Sequence, residues 1–246
     1  MHEPYHRIVP GAKCAVVFIH GIVSTPRFWD DYVRAVPEDW SVYSLLLPGH
    51  GGSVLDFGRT RRGAWQACVN AAIDEMRRSH EQVYLVGHSM GTLLSILHAV
   101  QNPERIAGML LLAVPLRIFP KPSALIRNIL KGVGLTESPE TLAAYYGTEQ
   151  DWRFWRYIPW IPRYLELFGL SAAARKALPR LNVPATAFMC GRDELVSLRS
   201  CRDMANHPQI DTRILERSMH HELHPEDKQT VLAFLHSMCS DTGPAN

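Results

Sequence analysis

The chain has 246 residues, 46% of them hydrophobic, and a formal net charge of +2. That length suits one large α/β domain, or one domain with an insertion, and leaves ample apolar content for a core. A charge this near balance gives no reason to expect a nucleic-acid or membrane-surface partner. The short Arg59-Thr60-Arg61-Arg62 cluster reads as a solvated helix start. No run of about 18 apolar residues exists, so no stable membrane insertion is expected. The opening MHEPYHRIVPG lacks the charged start and apolar stretch of a signal peptide. The five cysteines are odd in number and show no C-x-x-C spacing. They point to a reducing, cytoplasmic setting with no disulfide framework and no metal site.

In chain order, short near-continuous apolar runs recur at 15–19, 42–47, 83–86, 109–114, 185–189 and 212–215. Such runs predict strands buried on both faces, as in a parallel sheet. Helical patterns separate them at 27–36, 60–79, 92–100, 197–205 and 225–239. Strands alternating with helices imply right-handed βαβ units and a doubly wound, mostly parallel sheet. Residues 115–184 break the alternation. They show no strand signal, are punctuated by prolines, and carry the aromatic stretch Trp152-Arg153-Phe154-Trp155-Arg156-Tyr157 with Trp160 and Tyr164. They read as several short helices inserted after the C-terminal end of a strand, where α/β sites lie. The expected organisation is a core of 1–114 and 185–246 with a helical cap of 115–184.

Between the third predicted strand and its helix stands Gly87-His88-Ser89-Met90-Gly91. This is the G-x-S-x-G pattern of a nucleophile elbow, in the strand–turn–helix context the pattern requires. A strand turning this sharply into a helix forces the serine into a strained conformation. Flanking side chains would strike neighbouring backbone, hence glycine on both sides. Ser89 is therefore the candidate nucleophile. His20-Gly21-Ile22 ends the first predicted strand. A loop there could offer the Ile22 N–H, beside that of Met90, to a developing oxyanion. An ordinary turn with a satisfied histidine is the bland alternative. Leu47-Pro48-Gly49-His50-Gly51-Gly52-Ser53 closes the second strand as a compact loop, and His50 is given a structural role. His88 is the variable position of the elbow and receives no role.

Together HGIVST, LPGHGGS, GHSMG, GRDELV and SMHH resemble the α/β-hydrolase superfamily, of the small carboxylesterase and monoacylglycerol-lipase type, in that family's order. The resemblance spans nearly the whole chain except the insertion. It implies the α/β-hydrolase fold, with the N-terminal hairpin short or absent, and the chain order nucleophile, acid, histidine. The acid then falls on Asp193 after the run 185–189, with Glu194 as the neighbouring alternative. Ser197 stands as the better N-cap for the helix that follows. The histidine falls on His220 after the run 212–215. An H-E-L-H reading would choose His221, while His224 reads as a surface or capping residue. The activity implied is hydrolysis of a small-molecule carboxylic ester with an apolar acyl or aryl part, without cofactor or metal. Thioesterase, lactonase, amidase or carbon–carbon hydrolase chemistry on the same fold, or a non-catalytic ligand receptor, remain alternatives.

Overall fold

A computed structural model describes residues 2–119 and 151–240. Seven strands form one sheet in the order β1-β3-β2-β4-β5-β6-β7. They are β1 (Tyr5–Arg7), β2 (Cys14–Ile19), β3 (Ser41–Ser44), β4 (Gln82–His88), β5 (Ile106–Leu112), β6 (Ala185–Cys190) and β7 (Ile210–Leu215). All neighbours pair parallel except β1, which lies antiparallel on β3. Among the described residues the α-helices are α1 (Asp30–Ala35), α2 (Val54–Arg59), α3 (Arg62–Ser79), α4 (Met90–Gln101), α5 (Ile161–Ala177), α6 (Ser200–Met204) and α7 (Pro225–Ser240).

The period-2 geometry of β2 shows how the sheet is wound on both faces. Ala15, Val17 and Ile19 enter a core shared with Trp65 and Ile73 of α3, Leu93 of α4 and Leu170 of α5. Val16 and Phe18 point the other way, into a core with Trp29, Tyr32 of α1 and Leu235 of α7. Every residue of β2 and β6 is buried, as the continuous apolar runs require. The chain moves from β2 outward to β3 and then back across to β4. The C-terminal ends of β2 and β4 therefore flank the topological switch point, where α/β folds place their sites.

Several expectations need correction. The sheet does not begin at residue 15: β1 supplies one antiparallel edge strand. It is three residues long and largely exposed, so it has no apolar run to betray it. The second strand ends at Ser44 rather than 47, because the Leu47 N–H turns to the His20 ring instead of a ladder partner. The fourth stops at Leu112, where Ala113 takes φ 54°. Helix α2 follows the compact loop 47–53 directly and is not among the expected helices. It is closed by a capping box in which Ser53 accepts from Asp56 N–H and Asp56 accepts from Ser53 N–H. Arg199, not Ser197, is the N-cap of α6, although the Ser197 hydroxyl accepts the Arg199 N–H in the preceding turn.

Within the range expected to be inserted, residues 120–150 lie outside those described. Their neighbours tie closely to the core. Residues 117 and 118 run beside the loop after β6: Ser197 N–H donates to the Arg117 carbonyl, Ile118 bridges Val196, and Arg117 pairs with Asp203 at 2.8 Å. Helix α5 buries Leu167, Leu170 and Ala174 in the same core as α4, and Ser171 donates to the Pro115 carbonyl at 2.6 Å. The 3-10 turn Phe154–Trp160 rests on α2, with Trp160 Nε1 donating to the Val54 carbonyl at 2.7 Å. In the aromatic stretch, Trp160 is thus a core residue, whereas Trp152, Phe154 and Trp155 are exposed.

Candidate active site

The turn from β4 into α4 holds Ser89 at φ 50° and ψ −119°, a left-handed backbone that is uncommon without glycine. Its frame is steric. A Cβ on Gly91 would lie 2.1 Å from the Ile19 carbonyl oxygen, and one on Gly87 would lie 2.8 Å from the Thr92 nitrogen. Neither atom can yield, since both belong to backbone. Ser89 N–H donates to the Leu112 carbonyl at 2.9 Å, and Thr92 N–H donates back to the Ser89 carbonyl at 2.9 Å. The hydroxyl thus stands at the N-terminus of α4, whose dipole favours developing negative charge.

Two loops converge on it. After β6, Asp193 is buried and does two jobs. Its Oδ1 accepts the Leu195 and Val196 N–H groups, each at 2.8 Å, which fixes the turn. Its Oδ2 accepts from His220 Nδ1 at 2.7 Å. After β7, His220 brings Nε2 to 2.9 Å from Ser89 Oγ. Because Asp193 accepts the Nδ1 proton, Nε2 is the acceptor and the serine hydroxyl donates. Burial pushes the Asp193 carboxyl up, but His220 and the Val196 and Leu195 N–H donors outweigh it and hold the acid below its ordinary value. Asp193 is therefore a carboxylate at neutral pH.

The neighbouring candidates fall elsewhere. Glu194 accepts the His220 backbone N–H at 3.5 Å. The His221 ring packs edge-on against that of His220, with centroids 4.7 Å apart, while the bonds to Ser89 and Asp193 are made by the His220 nitrogens. His224 accepts the Glu226 N–H in the first turn of α7, a capping position. On the opposite side, the loop after β2 closes on the elbow: a Cβ on Gly21 would lie 3.0 Å from Ser89 Cβ. That places the Gly21–Ile22 peptide beside Ser89, and Met90 opens α4 directly after it.

Sequence reasoning left His88 without a role, and the structure gives it one. The ring is fully buried and stacks on Phe28 with centroids 4.3 Å apart. Its Nε2 lies 2.9 Å from the His220 carbonyl. Burial, followed by the neighbouring His220 and His221, holds it well below the ordinary histidine value. A neutral ring whose Nε2–H donates to that carbonyl ties the elbow to the loop carrying His220. The contact spans 132 positions, so no local pattern could announce it. His88, His220 and His221 also bring ring nitrogens within 4.8 Å of one another, a grouping able to ligate a metal ion. Both nitrogens of His220 and the Nε2 of His88 already serve the hydrogen bonds above. Metal ligation would have to break that network.

A sequence profile described as the alpha/beta hydrolase family matches residues 16–233. The chain belongs to this family. Human monoglyceride lipase is 25% identical over 93% of this chain and 82% of its own length. Monoacylglycerol lipase abhd6-A of Xenopus laevis is 26% identical over 50% of this chain and 37% of its own; the match thus spans about a third of that relative. Among solved structures, one reported with LipS and LipT, two metagenome-derived lipolytic enzymes, superposes with a TM-score of 0.71 at 21% identity, covering 96% of this chain and 98% of the other. Haloalkane dehalogenase DatA of Agrobacterium tumefaciens C58 gives the same TM-score at 16% identity over 97% and 96%. Likeness at this level establishes the fold, and the fold houses more than one chemistry. Among the described residues, no helix is long and apolar enough to cross a membrane.

Proposed function

We propose that the protein is a serine hydrolase of carboxylic esters with an apolar acyl or aryl part, working through an acyl-enzyme. The observation that carries this reading is the hydrogen-bonded chain Ser89 Oγ–His220 Nε2 at 2.9 Å and His220 Nδ1–Asp193 Oδ2 at 2.7 Å. Ser89 Oγ attacks the ester carbonyl carbon while His220 Nε2 takes its proton. Asp193 fixes the ring tautomer and stabilises the imidazolium. The Ile22 and Met90 N–H groups receive the oxyanion; losing one such donor typically costs about 3 kcal/mol. The tetrahedral adduct collapses, the alkoxide leaves with the proton from His220, and the acyl group remains on Ser89. Water then gives its proton to His220, attacks the acyl carbon and restores the free serine.

Two features favour ester cleavage over the dehalogenase chemistry of a structural neighbour. A dehalogenase attacks carbon with a carboxylate, and the elbow here presents a hydroxyl beside a base. The human and Xenopus relatives are named for monoacylglycerol esters, which suits an apolar acyl group. We further infer a core of residues 1–114 and 185–246 with 115–184 inserted, the insertion contributing to acyl selectivity. Hydrolysis of p-nitrophenyl esters from acetyl to palmitoyl, beside matched thioesters and amides, tests the assignment. Ester turnover lost in Ser89→Ala supports it. Turnover confined to thioesters or amides would replace the substrate class and keep the mechanism.

A further inference from the structure

Two buried histidines outside the Ser89–His220–Asp193 chain grip the loop that carries Ile22, and they do so reciprocally. His20 lies on the loop after β2 and His50 on the loop after β3. His20 Nε2 accepts the Leu47 N–H at 3.0 Å, and His50 Nε2 accepts the Val23 N–H at 3.0 Å. Each ring thus takes a backbone proton from the other's loop. An acceptor Nε2 on a neutral imidazole fixes the proton on Nδ1. His20 Nδ1–H then donates to the Gly21 carbonyl at 2.8 Å, and His50 Nδ1–H faces the Leu47 and Pro48 carbonyls at 3.2 Å each.

The Gly21 carbonyl belongs to the same peptide unit as the Ile22 N–H. In a trans peptide the two groups point in opposite directions. Holding the carbonyl on His20 therefore aims the Ile22 N–H the other way. The next peptide contains the Val23 N–H, and His50 holds that one. The grip works against strain. Val23 is β-branched and sits at φ 54°, in a turn closed by the Ser24 N–H on the Gly21 carbonyl at 3.3 Å. That turn position favours glycine or asparagine, and a bulky residue keeps it only where its surroundings over-determine it.

We propose that His20 and His50 are positioning residues that orient the Ile22 amide as an oxyanion donor, an inference that rests on the esterase reading above. They touch no reacting atom. His20 acts through its Nδ1–H and His50 through its Nε2 lone pair. Asparagine can imitate Nδ1 and glutamine can imitate Nε2, so the two sites make opposite demands. The test is four variants: His20→Asn, His20→Gln, His50→Asn and His50→Gln. Each is assayed for p-nitrophenyl ester kinetics and for affinity to a trifluoromethyl ketone, which forms an oxyanion adduct on the serine. His20→Asn and His50→Gln should keep kcat within about fivefold. His20→Gln and His50→Asn should lose on the order of 10²-fold in kcat, with a similar loss of ketone affinity, as removal of an oxyanion donor does. KM and the acid-limb midpoint of kcat/KM should stay near those of the parent, because the Ser89–His220–Asp193 chain is untouched. Equal losses in both members of either pair, whether of activity or of folded protein, or no loss in any variant, would overturn the proposal. Failure of the esterase reading shows separately, as ester turnover that persists in Ser89→Ala.

Discussion

Ser89 and Val23 both take a positive φ, 50° and 54°, on loops that close against each other. They are held by different means. Ser89 is framed by its own immediate neighbours, Gly87 and Gly91, where any Cβ would strike backbone. Val23 is gripped by His50, 27 positions away, through one hydrogen bond. A left-handed residue can thus be imposed by local sterics or by a tertiary clamp. Local frames leave a motif in the sequence; clamps do not. The comparison predicts that the elbow tolerates almost no side chain beside it, while the β2 loop yields when its distant ring is changed.

The largest effect belongs to the hydrogen-bonded chain that both loops serve. His220→Ala should lose on the order of 10³-fold or more in kcat toward a p-nitrophenyl ester, as loss of a triad member does. Gly91→Ala comes next. Its new methyl would meet the Ile19 carbonyl at 2.1 Å, so β2 or α4 must shift. A stability loss of about 1–3 kcal/mol, read in urea, should accompany at least a tenfold fall in kcat. An unchanged midpoint with full activity would show that the elbow is not sterically framed.

The clamp has its own signature in pH. Burial holds His50 down to about 4 and keeps His20 well below its ordinary value. In the unfolded chain each returns to about 6.5. Between these values the unfolded state binds protons that the native state refuses, so stability rises with pH through the window and falls as pH drops from about 6.5 toward 4. For His50 alone the loss is on the order of 3 kcal/mol. Urea midpoints at pH 7 and pH 4.5 should show it, and His50→Gln should flatten part of the slope. His221→Ala sits at the small end. Its ring lies against His220, whose own nitrogens make the bonds to Ser89 and Asp193, and kcat should fall by less than about tenfold. A loss as large as that of His220→Ala would move the base to the neighbouring histidine.

Legibility followed the same division. The buried strands were readable because each is a short apolar run, and the glycine frame of Ser89 because the restraint lies within five residues. Asp193 and His220 were reached by family order, and the structure brings both to Ser89. Edge strand β1 was not readable, since Tyr5, His6 and Arg7 offer no apolar pattern and are ordered by pairing with β3. Helix α2, which starts directly after the glycine-rich loop, carries a usable signal in the Ser53 and Asp56 capping pair. His50 reads as structural from its loop, but what it and His20 hold, and the tie made by His88, leave no local signal: the Val23 and Leu47 N–H groups and the His220 carbonyl lie 27 to 132 positions away.

Covalent labelling by a fluorophosphonate, read by intact mass, tests the central claim most directly. The parent protein should gain one phosphonyl adduct per chain, at Ser89, and Ser89→Ala should gain none while keeping the parent's urea midpoint. His220→Ala should label far more slowly than the parent. Stoichiometric labelling of folded Ser89→Ala would contradict the assignment of Ser89 as the nucleophile.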